Sequence, residues 1–161
     1  MIENIKSWLT NHLQADSNEI ETYFKNNNVT GFLMIWTIFE QKLFNGFIKF
    51  SDISNFSKEN KDLITTIISL NDIFNYFHSR YQNNEYYNNL IHNDNKTEIE
   101  EIRKKKIEKL NKEEKLQFLL YVVYRYRNNI FHGNKGVSSW LKYEEQIDKC
   151  VITMTELIDN K

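Results

Sequence analysis

The stretch YRYRNNIFHGNKG, residues 124–136, sets two arginines, two asparagines and a histidine directly behind LQFLLYVV, the most apolar run of the C-terminal half. Guanidinium, amide and imidazole groups bind phosphates and move protons, and all three types fall between positions 125 and 132. On a helix turning about 100° per residue, Arg127 lies in the middle of the apolar stripe formed by Leu116, Leu119, Leu120, Val123, Ile130 and Phe131. A guanidinium there needs a partner or a cleft, because burying an unpaired charge costs roughly several kcal/mol. Glu40, at the edge of a second apolar stripe, is the carboxylate expected to supply it. A bidentate pair would fix the guanidinium plane and leave donors over for a phosphate. His132 precedes Gly133, the residue expected to end the helix, so its ring meets the negative end of the helix dipole and the imidazolium is favoured. Arg127 and His132 would point about 140° apart on an ideal helix, so a break at Gly133, or a second copy of the chain, is needed to aim both at one ligand. Arg125 and Asn128 share the histidine's face. A capping histidine and an arginine paired to a core glutamate would account for the same residues without any function.

The elements that position these groups read as helices. The 161 residues include no proline and four glycines, too little punctuation for a many-stranded β fold. The expected fold class is all-α: one domain over 1–161, a helical bundle of about five to seven helices. Ile2, Ile5, Trp8, Leu9 and Leu13 make an amphipathic first helix, and Asp16 or Ser17 can cap a short second one carrying Ile20, Tyr23 and Phe24. Phe32, Trp36, Phe39, Leu43 and Phe47 form the stripe of a core helix that carries Glu40 beside it. SDISNFS reads as a spacer before a periodic run through Leu63, Ile67, Leu70, Phe74 and Phe77. That run fades into a polar tract, residues 79–97, which reads as a mobile insertion. A charged helix then places Ile99, Ile102 or Arg103, Ile107 and Leu110 inward. Asn111 and Glu114 form a capping box that opens the helix bearing Arg127, and Ser138 or Ser139 opens the last helix.

A formal net charge of −1 excludes the global basic field of a general nucleic-acid coat, so any phosphate-binding surface is local. The single cysteine, Cys150, forms no internal disulfide, and with His12, His78, His92 and His132 it matches no zinc-ligand spacing, so no metal and no cofactor are expected. No segment has the uninterrupted apolar length of a membrane span or a secretory signal, and the expected compartment is the cytoplasm. RKKK, residues 103–106, is interleaved with glutamates and reads first as a solvated helix face. YFHSRYQNNEYY, residues 76–87, has the aromatic, amide and basic residues that stack unpaired bases, though a surface loop with packed tyrosines is the simpler reading.

RNNIFH, near the end of a long helix in a small all-α chain, resembles the signature of HEPN (higher eukaryotes and prokaryotes nucleotide-binding) domains, and GFLMIWTIFEQKLFN resembles the acid-bearing helix of bacterial members. The resemblance implies a metal-independent RNA endonuclease of a toxin–antitoxin or antiphage defence system, acting on RNA as a homodimer whose two motifs face each other, with an antitoxin or regulatory protein as a further partner. Carried over, Arg127 and His132 would be catalytic, Asn128 would orient them, and Glu40 would be a supporting acid. Six residues separate Arg125 from His132, so the family spacing admits either arginine, but only Arg127 is followed by a polar residue. Members paired with a nucleotidyltransferase antitoxin carry a tyrosine two positions after the histidine, where this chain has Asn134. A catalytically inactive HEPN module for dimerisation or for nucleotide or partner binding is the alternative, and a purely structural bundle is a third.

Overall fold

Leu116 and every residue from Phe118 to Val123 are buried, on all faces of one helix, and such a helix must be surrounded by neighbours. The computed structural model describes residues 2–14, 16–131 and 142–161. Its α-helices in chain order are α1 (Ile2–Leu13), α2 (Ser17–Lys25), α3 (Asn28–Leu43), α4 (Phe50–Glu59), α5 (Leu63–Thr66), α6 (Ile68–Arg80), α7 (Asn84–Ile91), α8 (Thr97–Lys104), α9 (Lys112–Phe131) and α10 (Glu144–Asp159). A 3₁₀ turn, Ile107–Lys109, leads into α9. The fold is all-α, as expected. The central helix is α9, against which α4, α5, α6, α7, α8 and α10 all pack, while α3 lies mainly along α10.

The helices outnumber the expected five to seven because the chain breaks where side-chain periodicity alone runs on. Asn45 and Gly46 take positive φ values of 55° and 93°, which ends α3 at Leu43 and leaves Phe47 exposed, off the stripe to which it was assigned. SDISNFS is not a spacer. It is most of α4, whose capping arrangement closes between Lys49 and Asp52 and whose Ile53 and Phe56 face inward. Ile67 is extended between α5 and α6, so the run through Leu63 and Phe77 is two helices.

The largest correction concerns residues 79–97, expected as a mobile insertion. They carry Tyr81, Tyr87, Leu90 and Ile91 into the same buried cluster as the rest of the core, so the segment is a layer of the fold and not an addition to it. That cluster begins at Val29; α1 buries no residue, and Ile20 of α2 is buried apart from it. Two caps follow the sequence. The Asp16 carboxylate accepts from the Glu19 amide at 2.8 Å. Asn111 and Glu114 exchange side-chain bonds with each other's amides at 2.9 and 3.0 Å, starting α9 where expected. No helix among the described residues is long and apolar enough to cross a membrane.

Candidate functional site

The last turns of α9 hold Arg125 and Arg127, and their surroundings differ in kind. Arg125 is buried and every nitrogen of its guanidinium is engaged. Nη1 pairs with Asp94 at 2.8 Å, Nη2 donates to the Ile91 carbonyl at 2.7 Å, and Nε donates to the Leu90 carbonyl at 3.3 Å. Those carbonyls end α7 and have no partner within their own helix, so Arg125 caps it, helped by Asn129, whose amide donates to Leu90 at 2.9 Å. The chain turns back through His92 and Asn93, both in the left-handed region, to bring Asp94 under Arg125. Asp94 also pairs with Lys96 at 2.8 Å, and its carbonyl accepts from the Tyr121 hydroxyl at 2.8 Å.

Arg127 is half-buried and forms no ion pair with any described residue. Its Cζ stands 4.6 Å from the ring centre of Phe131, one turn on along α9, and 5.7 Å from that of Trp36 on α3. Trp36 is set in place by Phe32, Phe39 and Tyr124, whose rings lie within 6.5 Å of it. Nη1 of Arg127 donates to the Asn128 side-chain oxygen at 3.0 Å; Nε is buried with no partner, and Nη2 bonds to no described residue. Asn128 therefore fixes the guanidinium plane from its own backbone neighbour, while Phe131 remains largely exposed beside it.

The expected Glu40–Arg127 pair does not form. Glu40 belongs to the last turn of α3 and faces the α3–α4 connection, where Oε1 accepts from the Ile48 amide at 3.3 Å. Arg127 meets α3 one turn earlier, at Trp36. The stripe argument placed Arg127 deeper than Arg125, and the order is reversed, because α9 is buried all round as far as Val123 and its apolar residues there mark no single face from which to read depth in the turns that follow. His132 lies outside the described residues, as do Gly133, Asn134, Ser138 and Ser139.

The structure thus places Arg127 and Asn128 together and puts Arg125 and Glu40 to other uses. Sequence reasoning missed the aromatic enclosure. The four-residue step from Arg127 to Phe131 was its visible sign, whereas the part played by Asp94 had none. Among the described residues no three His, Cys, Asp or Glu side chains are grouped to hold a metal ion. No family model matches the chain, and no curated protein and no solved structure matches it. What fold and site define is an all-α bundle with an arginine at the end of its central helix that lies between two aromatic rings and pairs with no described carboxylate.

Proposed function

We propose that the chain is a metal-independent RNA endonuclease that works as a homodimer, with Arg127 on the scissile phosphate and His132 moving the protons. One observation carries the reading: a guanidinium oriented by Trp36, Phe131 and Asn128, with donors that no described residue takes up and no described carboxylate to neutralise it, five positions before a histidine. Aromatic faces hold a cation without quenching its charge, so such a group is prepared for an oxyanion.

In the proposed reaction the substrate's 2′-oxygen attacks phosphorus as the P–O5′ bond breaks. The imidazole of one copy takes the 2′-hydroxyl proton, and the imidazolium of the other gives a proton to the leaving 5′-oxygen, each step contributing on the order of 10² to 10⁴ in rate. Arg127 neutralises the non-bridging oxygens, a task its forked donors perform and a lysine's point charge does not. The products are a 2′,3′-cyclic phosphate and a 5′-hydroxyl.

The test is the end chemistry of single-stranded or loop RNA cut in the presence of EDTA. Cyclic-phosphate ends, lost in His132→Ala and in Arg127→Lys, are expected; 3′-hydroxyl ends, an absolute requirement for Mg²⁺, or full activity in His132→Ala would overturn the reading. A role in a cytoplasmic toxin–antitoxin or antiphage system predicts that expression is toxic and that His132→Ala relieves the toxicity. The exposed Phe131 favours a second reading, a catalytically silent module that uses this ring for dimerisation or for binding a nucleotide or partner. That reading predicts dimers without cleavage.

A further inference from the structure

Beyond Val123 the polar side chains of α9 fall on two faces, and the faces differ in what they leave over. Arg125, Tyr126 and Asn129 look toward α6 and α7, and each is taken up there: Arg125 by Asp94 and the end of α7, Asn129 by the Leu90 carbonyl, and Tyr126 by the Tyr81 hydroxyl at 2.9 Å. Tyr124, Arg127, Asn128 and Phe131 follow at three- and four-residue steps and so share the other face. Along it, donors remain unused. Tyr124 is half-buried with its ring 6.5 Å from that of Trp36, and its hydroxyl bonds to no described residue. Arg127 touches the same indole, and neither its Nη2 nor its buried Nε has a partner among the described residues. The Asn128 oxygen accepts from Arg127 Nη1, and its amide nitrogen bonds to no described residue. Trp36 Nε1 is itself buried without a partner among the described residues, although a buried indole N–H ordinarily finds one.

We infer that Tyr124 is a further substrate-contacting residue, its hydroxyl donating to the phosphodiester oxygen beside the one that Arg127 holds. The inference deepens the nuclease reading and rests on it for the ligand. Unused donors gathered around one indole, with no described carboxylate among them, call for an oxygen-rich anion, because an unmet buried donor is costly and each anionic oxygen can accept from more than one donor. A phosphodiester brings two non-bridging oxygens. With Nη1 turned to Asn128, Arg127 presents Nη2 to one of them, and the second needs a donor of its own. The Tyr124 hydroxyl lies on the same face, one turn earlier, with its ring against the same indole. Negative charge on these oxygens grows as the 2′-oxygen attacks, so a hydroxyl aimed at one of them bonds more strongly as the reaction proceeds.

The test is Tyr124→Phe, which removes the hydroxyl and keeps the ring on Trp36, with a thermal melt to check that the fold is kept. Binding is read by NMR on the full chain, following the Trp36 indole and Arg127 Nε–H signals. The probes are a 2′-O-methyl tetranucleotide that the proposed reaction cannot cut, inorganic phosphate and acetate. The tetranucleotide is expected to shift both signals and to bind Tyr124→Phe at least about fivefold more weakly than wild type. The initial rate of RNA cleavage, measured separately, should fall at least about tenfold in the same variant. Wild-type binding and rate in Tyr124→Phe would overturn the inference and leave the nuclease standing. No shift with the tetranucleotide, or phosphate or acetate binding as tightly, would also overturn it, because the donors would then serve no phosphodiester in particular. Weaker tetranucleotide binding in Tyr124→Phe, with no cleavage by wild type, would keep the Tyr124 contact and reject the nuclease.

Discussion

Arg125 and Arg127 stand two positions apart on α9 and serve opposite ends. On the α7 side Arg125 is held by a carboxylate and two helix-terminal carbonyls, and Arg103 repeats the pattern, with Glu100 at 2.8 and 3.1 Å and the Tyr81 carbonyl at 2.9 Å. On the α3 side the described partners of Arg127 are rings and a neighbouring amide. A buried guanidinium whose donors are all engaged ties elements together and has nothing left for a ligand. One held by aromatic faces has its direction fixed and its charge intact.

Exchanging each arginine for alanine should separate the two roles most sharply. Arg125→Ala uncaps α7 and leaves Asp94 with Lys96 as its remaining cation, and losing charge-assisted hydrogen bonds in a part-buried setting costs about 1.5–3 kcal/mol, read as a lower urea midpoint. Arg127→Ala should cost under about 1 kcal/mol, within the range of ordinary surface changes and a lost ring contact. In the cleavage assay it should lose about 10² to 10³ in rate, the usual effect of deleting one oxyanion donor. Equal destabilisation by the two substitutions would erase the distinction.

The next largest effect is expected from acid. Arg103 hydrogen-bonds the Glu100 carboxylate from two nitrogens, Lys104 adds a contact at 2.8 Å, and together they push it down to about 2 from its ordinary 4.5 against the opposing effect of burial. A carboxylate lowered by folding contributes stability that is fully present above its unfolded pKa and is lost as pH falls through the folded one. The chain should therefore lose on the order of 1–3 kcal/mol between pH 4.5 and about 2. Glu100→Gln should flatten that slope in urea titrations across the same window. An unchanged slope would mean that the Arg103 tie holds α8 less firmly than Arg125 holds α7.

The unequal legibility of these parts in the sequence has physical causes. Capping chemistry is local, so Asp16 and the Asn111–Glu114 box were readable, and the apolar run after Lys115 marked the central helix. The depth of the arginines was not readable, because α9 is covered on all sides up to Val123, and which face stays partly open beyond it, through Tyr124, Arg127 and Phe131, is set by α3 and α7, far away in sequence. Residues 79–97 looked like surface because Leu90 and Ile91 are their only aliphatics and the rest are tyrosines scattered among asparagines, and Tyr81 and Tyr87 reveal their burial only once Arg103 of α8 and Tyr126 of α9 meet them. Pairing Glu40 with Arg127 assumed that a carboxylate must answer a buried guanidinium, and Trp36 and Phe131 met the need in another way.

Phe131 tests that substitute. It is exposed, so Phe131→Ala should leave stability within about 0.5 kcal/mol. Removing a ring from one face of the guanidinium sacrifices about 0.5–1 kcal/mol of orientation, and RNA cleavage should fall by up to roughly fivefold. Phe131→Tyr, which keeps the ring, should restore it. If both variants cut as fast as wild type, Trp36 and Asn128 suffice to aim Arg127.

Glu40 should give the smallest effect. Among the described residues its one side-chain bond is the 3.3 Å contact from the Ile48 amide, while the turn it sits above is already closed by the Phe44 and Gly46 amides donating to its own carbonyl at 3.0 and 2.9 Å. Glu40→Ala leaves one amide short of an acceptor and should cost about 0.5–1.5 kcal/mol. Glu40→Gln keeps an acceptor and should cost less than that, and since neither variant touches Arg127, cleavage should be unchanged in both. The measurement is a paired one, melting temperature against initial rate of RNA cleavage. A Glu40→Gln protein that melts like wild type but cuts slowly would show that the carboxylate reaches the phosphate site when RNA or the second copy is bound, and the contrast between a quenched and an open arginine would then hold for the free chain alone.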